Sequence, residues 1–159
     1  MITEQRVVAV LKVFLVLLFV ILVGFQAAWL PGEFARLAER SADFAGVRLL
    51  MTAGSIAGLL CVQVVIVSIW RLLTLVANDT IFSDASLGWV NAIVWAIGAA
   101  WVMLLGVFLT VVIRWPDPGL PLLLFLALVG VAVLGLLMVV MRALLRQATT
   151  LRTDMQAVI

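Results

Sequence analysis

Nucleophilic and acid–base catalysis need a base within hydrogen-bond reach of the group it activates. This chain offers few groups for that task. It has no His and one Cys, Cys61. Its Asp and Glu residues all fall between or outside four long apolar runs. Without His, the commonest general base, metal ligand and axial haem ligand are gone. One thiol supports neither an internal disulfide nor a CxxC redox pair. No P-loop, dinucleotide fingerprint or GxSxG is present. The expectation is a non-enzyme with no metal site and no cofactor. Bound lipid or quinone stays open, because such pockets are almost wholly apolar.

The polar groups inside the apolar runs are few. Lys12 is close enough to a run's end to snorkel to the boundary. Gln63 and Asn91 are expected to hydrogen-bond between helices, each worth about 0.6–2 kcal/mol. A ligand role for them is the minor alternative. Small four-helix drug exporters use a carboxylate in the first helix, and this first run has none, which weighs against ion-coupled transport. Gly54 and Gly58 form a GxxxG, and Ala92, Ala96 and Ala100 form a small-residue stripe. Both permit close helix approach, by packing within the chain or, less favoured, by dimerisation.

These groups must be positioned by membrane helices. Of the 159 residues, 67% are hydrophobic and 11% charged. Soluble domains have roughly 45–50% apolar and about 25% charged residues, so this chain cannot clothe a water-facing globule. The apolar runs lie at about 7–30, 49–70, 89–113 and 120–141. Each is about 22–25 residues, or ~33–38 Å of helix, enough to cross a hydrocarbon core of about 30 Å. The predicted fold is all-α: one integral membrane domain, 1–159, built as a four-transmembrane-helix bundle. The first run exceeds the roughly 7–15 residues of a signal h-region and is read as a retained helix. Trp29, Trp70, Trp89 and Trp115 sit at run ends like an aromatic belt. Trp95 and Trp101 lie deeper.

With both termini inside, Arg6, Lys12, Arg71, Arg142, Arg146 and Arg152 are cytoplasmic, and Arg36, Arg40, Arg48 and Arg114 are outside. The bias agrees with the positive-inside rule and places the protein in the plasma membrane. The net charge of +2 is dispersed, leaving no nucleic-acid footprint. Nine of the ten basic residues are Arg, a bias that points to a GC-rich bacterial genome.

The outer loop at about 33–45 carries Phe34, Leu37, Ala38, Phe44 and Ala45 at helical spacing. It is expected to be a short amphipathic helix on the membrane surface, covering the bundle mouth or acting as a partner-binding lid. The second outer loop, with Pro116, Pro118 and Pro121, reads as a stiff turn. After Met141 the last helix continues as a cytoplasmic extension, 142–159. Leu144, Ala148, Leu151, Met155 and Val158 form its apolar stripe, and Arg146, Arg152 and Asp154 occupy other faces. That extension lies along the inner surface, binds a partner or folds back beneath the bundle.

Between the second and third runs stands Asn78-Asp79-Thr80-Ile81-Phe82-Ser83-Asp84. Asn78 and Asp79 make the turn. Ser83 is the expected N-cap of the next helix, Asp84 complements its dipole, and Phe82 is spaced to staple onto Leu87 where the chain re-enters the membrane. Ile81 is expected to cover the end of the second helix or the tail. Asp79 or Asp84 is expected near Arg146 or Arg152.

The four runs, this turn and the ending Leu151-Arg152-Thr153-Asp154 through Val158-Ile159 together resemble the domain of unknown function 2975, a family of small bacterial membrane proteins. The likeness extends over nearly the whole chain. An Ile-Phe-Ser turn and a closing Val-Ile are similar to the actinobacterial branch, whereas other branches commonly have Pro-Phe. The family's more acidic ending is here Met155-Gln156-Ala157. The resemblance implies four spans and, for some members, a neighbouring helix-turn-helix regulator. It implies no activity.

The leading functional expectation is an accessory or regulatory subunit packed against a larger membrane complex. The alternatives are a small oligomeric transporter or channel, and a sensor that tethers a cytoplasmic regulator through its C-terminal helix.

Overall fold

The computed structural model describes residues 2–40, 45–114, 116 and 118–158. Helix α1 (Ile2–Gly24) passes through a π turn (Phe25–Trp29) into α2 (Leu30–Arg40). Helices α3 (Ala45–Ala77), α4 (Asp84–Arg114) and α5 (Gly119–Val158) follow, with no strand among the described residues. Four stretches are long and apolar enough to cross a membrane: Ile2–Glu33, Thr52–Ala77, Asp84–Arg114 and Gly119–Val158. Lipid offers the backbone no hydrogen bonds, so a chain this apolar must satisfy its amides within each helix. The chain forms two compact units, Met1–Trp70 and Arg71–Ile159.

In the first unit the sequence anticipates a surface helix set apart from the first span. The structure instead joins the two through the π turn. The cause is Pro31. Proline lacks an N–H and its ring collides with the carbonyl four residues back, here Ala27. The helix widens to relieve this, and the Leu30 N–H bonds the Phe25 carbonyl, five residues back. The Phe25 and Trp29 rings follow the bulge with centroids 4.9 Å apart. The predicted far end of the surface helix, including Asp43 and Phe44, lies outside the described residues. Arg36 pairs with Glu33 at 3.6 Å, an exposed contact of little energetic consequence.

Two side-chain contacts tie α1 to α3. Lys12 is half-buried, with its Nζ 5.3 Å from the centre of the Trp70 ring. The expected snorkelling cation therefore ends on an aromatic face, where the ring quadrupole offsets part of its desolvation. Further along, the Gln63 amide donates to Gln26 Oε1 at 2.8 Å. Gln63 is only 7% exposed, so the expected interhelical bond of Gln63 is present. Between these contacts, Leu15 and Ile66 are buried.

In the second unit α4 and α5 run antiparallel. Trp101 Nε1 donates to the Leu128 carbonyl at 3.2 Å, and the Phe108 and Phe125 rings lie 6.2 Å apart. A Cβ placed on Gly135 would come within 3.2 Å of Ile97 Cγ2. Gly135 thus permits the close approach of the pair, a role the sequence reading gave to other small residues. Trp95 is 74% exposed and faces outward. The turn into α5 is short. The Leu122 N–H bonds the Pro118 carbonyl at 3.2 Å, and Pro121 falls in the first turn, where a missing N–H costs nothing. Trp115 and Asp117 lie outside the described residues.

Gly135→Leu is expected to force the α4–α5 pair apart and lower stability by about 1–3 kcal/mol, read as a fall in thermal midpoint in detergent. An unchanged midpoint would show that the pair does not depend on this contact. Gln63→Leu is expected to cost about 1–3 kcal/mol by stranding Gln26. The Gln26→Leu/Gln63→Leu double variant should recover much of that loss.

Candidate interaction site

The residues that could interact with something beyond lipid gather where the α3–α4 turn meets the end of α5. The turn is built from the backbone upward. Helix α3 ends at Ala77, and Asp79 takes φ 55°, the left-handed conformation. Asp and Asn tolerate that region better than other residues bearing a Cβ. The reversal lets the Thr80 N–H reach the Leu75 carbonyl at 2.9 Å and the Asp79 N–H reach Val76 at 3.1 Å. Those two bonds satisfy carbonyls the helix end would otherwise leave open.

Ser83 stands at the expected cap position, one residue before α4, but caps differently. Its hydroxyl donates to the Thr80 carbonyl at 2.7 Å, closing the turn, where a side-chain N-cap would accept from the helix. The Ser83 carbonyl accepts from the Ser86 N–H at 3.1 Å and from Ser86 Oγ at 2.7 Å. Ser86 is completely buried. Asp84 occupies the first turn of α4 as expected.

The ring of Phe82 is 43% exposed and lies beneath the Arg152 guanidinium, 5.7 Å from its carbon. Leu87, the expected staple partner, is half-buried. Arg152 Nη1 also donates to the Asp79 carbonyl at 3.4 Å. Asp79 and Arg152 are therefore neighbours, as the sequence suggests, but through the main chain. Among the described residues no ion pair joins the tail to the turn. The reason is the turn itself: left-handed Asp79 has no intrahelical partner for its carbonyl, and α5 supplies one.

Together Asp79, Ile81, Phe82, Leu151, Arg152 and Met155 line an open groove of about 700 Å³. Ile81 thus belongs with the tail. Leu151 and Met155 are 64% and 71% exposed, and Leu144 and Val158 extend the same uncovered stripe at 56% and 87%.

The antiparallel register matches Trp101 with Leu128 and Ile97 with Gly135. Continued along the helices, it brings Arg142 level with Trp89. The Arg71 guanidinium lies 5.6 Å from the Trp89 ring, so basic and aromatic groups meet at this level as at a membrane–water boundary. The turn at Asp79 is then about ten residues, or ~15 Å, farther along α5. Phe82 thus lies with the part of α5 beyond Arg142, about two turns before Trp89 along the chain.

Other singled-out residues are not drawn together. Asn91 is half-buried and makes no hydrogen bond among the described residues. It lies two turns inside α4, and among the described residues the expected interhelical bond is absent. Added Cβ atoms at Gly54 and Gly58 meet nothing within 4 Å, so among the described residues the GxxxG is not filled by packing within the chain. Sequence reasoning passed over Gln26. Its Nε2 is buried with no partner, and only the pairing with Gln63 distinguishes it from an ordinary amide near a span's end. Among the described residues no group of three His, Cys, Asp or Glu side chains could hold a metal ion.

Because the tail contact uses a main-chain acceptor, Asp79→Asn is expected to leave it intact, whereas Arg152→Gln loosens the tail. Hydrogen exchange across 148–158 measures this, with faster exchange expected for Arg152→Gln alone. Equal acceleration in both variants would point to a charge pair.

No curated protein and no solved structure matches the chain. A family model does, the one described as Protein of unknown function (DUF2975), over residues 32–159. It covers α3, α4, the turn and the whole of α5. On that match the chain belongs to the DUF2975 family of proteins of unknown function.

Proposed function

We propose that this protein is a non-catalytic subunit of a larger membrane complex, held there by a partner helix laid on the Gly54–Gly58 face of α3. The carrying observation is the open space over both glycines. Against lipid, a Gly gives up contact area that a Leu would supply. Against another helix, it allows the backbones to approach closely. A small-residue face left unfilled among the described residues therefore suits a neighbour better than it suits lipid. In the proposed setting the protein lies in the plasma membrane with both termini cytoplasmic, in keeping with the Arg distribution.

A second reading draws on a separate observation. The uncovered stripe of Leu144, Leu151, Met155 and Val158 continues well past the apolar part of α5. It favours a tail that docks a cytoplasmic regulator, with the protein acting as a membrane sensor. Flux through a small oligomer has no comparable support.

Mild-detergent purification through a C-terminal tag is expected to recover a stoichiometric membrane partner. The Gly54→Leu/Gly58→Leu variant should lose it while keeping its own thermal midpoint, since among the described residues nothing lies within 4 Å of a Cβ added at either glycine. Recovery of the native protein from its own membranes as a lone monomer would overturn the proposal. Truncation after Gln147 tests the second reading separately: it should release a soluble partner and leave the membrane partner bound.

A further inference from the structure

We infer that Arg142 and Arg146 form a binding site for the phosphate of an anionic phospholipid. They stand one turn apart on α5, so their side chains share a face. Both are exposed. Among the described residues neither has a carboxylate within ion-pair distance; Arg36–Glu33 is the ion pair recorded there. Both line an open groove of about 710 Å³ along α5, together with Val139, Gln147 and Thr150.

Depth selects the ligand. Arg142 directly follows the apolar run that ends at Met141, and Trp89 and Arg71 mark the same level. A guanidinium here lies among headgroups. Its planar donor fork matches phosphate oxygens and loses less hydration than an ammonium would. Val139 gives an apolar wall on the membrane side, where an acyl chain would run. Gln147 and Thr150 add polar groups on the water side, beside the apolar Leu151. The Thr150 hydroxyl is already donated to the Arg146 carbonyl at 3.0 Å, which leaves the Gln147 amide as a further donor toward a headgroup. Two unpaired cations above an apolar wall suit an amphiphile of negative charge. A soluble anion would gain nothing from Val139, and a zwitterionic lipid carries its own cation to compete with the arginines.

The test is native mass spectrometry of the full chain in detergent, titrated with phosphatidylglycerol or phosphatidylcholine. Wild type is expected to retain phosphatidylglycerol in preference. Arg142→Gln/Arg146→Gln should weaken that retention on the order of thirty-fold, from about 1 kcal/mol per basic residue near the surface. Arg114→Gln, at the opposite end of α4, should leave it unchanged. Excess inorganic phosphate should not displace the lipid. Equal retention of the two lipids by wild type would overturn the inference without recourse to any variant. So would an undiminished preference in the double variant, an equal loss with Arg114→Gln, or displacement by inorganic phosphate.

Discussion

Hydrocarbon gives the main chain no hydrogen-bond partner, and this constraint shapes almost every feature described. Each span must close its own amides, so the chain is helical throughout its apolar length. Where a residue breaks the pattern, a compensation appears beside it. Pro31 removes a donor, and a π turn redistributes the bonds around it. At Ala77 the helix stops, and left-handed Asp79 returns two donors to its last carbonyls. That manoeuvre leaves the Asp79 carbonyl without an intrahelical partner, and Arg152 donates to it from α5. The contact between tail and turn thus follows from a problem of main-chain satisfaction, with side-chain charge secondary.

The same constraint explains how interactions are shared between the two units. In Met1–Trp70 the ties between α1 and α3 are polar and aromatic: an amide pair and a cation over an indole. In Arg71–Ile159 the ties between α4 and α5 rest on close approach, with Gly135 against Ile97 and an indole donating to a carbonyl. Apolar contact alone distinguishes poorly between a neighbouring helix and lipid. Specificity therefore falls to a few polar groups and to residues small enough to let helices touch.

The membrane class, the four spans and the approximate position of each turn were legible in the sequence, because they depend on apolar run length. The proximity of Arg152 to Asp79 was legible from position, though not its chemistry: charge suggested a carboxylate, and a backbone conformation decided for the carbonyl. Ser83 was placed correctly and given the wrong hydrogen bond, since a hydroxyl can donate as readily as accept. The uninterrupted path from α1 through α2 was hidden because Pro31 reads as a helix breaker unless a π turn is anticipated. Asn91 and Gln63 look alike as lone amides in apolar runs. Only packing shows that Gln63 meets Gln26 while Asn91 has no hydrogen-bond partner among the described residues. Membership of the DUF2975 family was readable from the turn and the ending, yet it carries no activity with it.

Helix α5 runs from Gly119 to Val158 without interruption, and its only proline lies in the first turn. It contains no hinge at the point where it leaves the apolar layer. Its two parts therefore move as one lever, with the membrane segment as the short arm's anchor. A tilt of roughly 10° over a helix ~60 Å long would carry the far end about 10 Å. A change in bilayer thickness or lateral pressure that altered the tilt of this helix would therefore displace its far end and the exposed apolar stripe there. The bond from Arg152 to the turn is the restraint that such a motion would have to stretch.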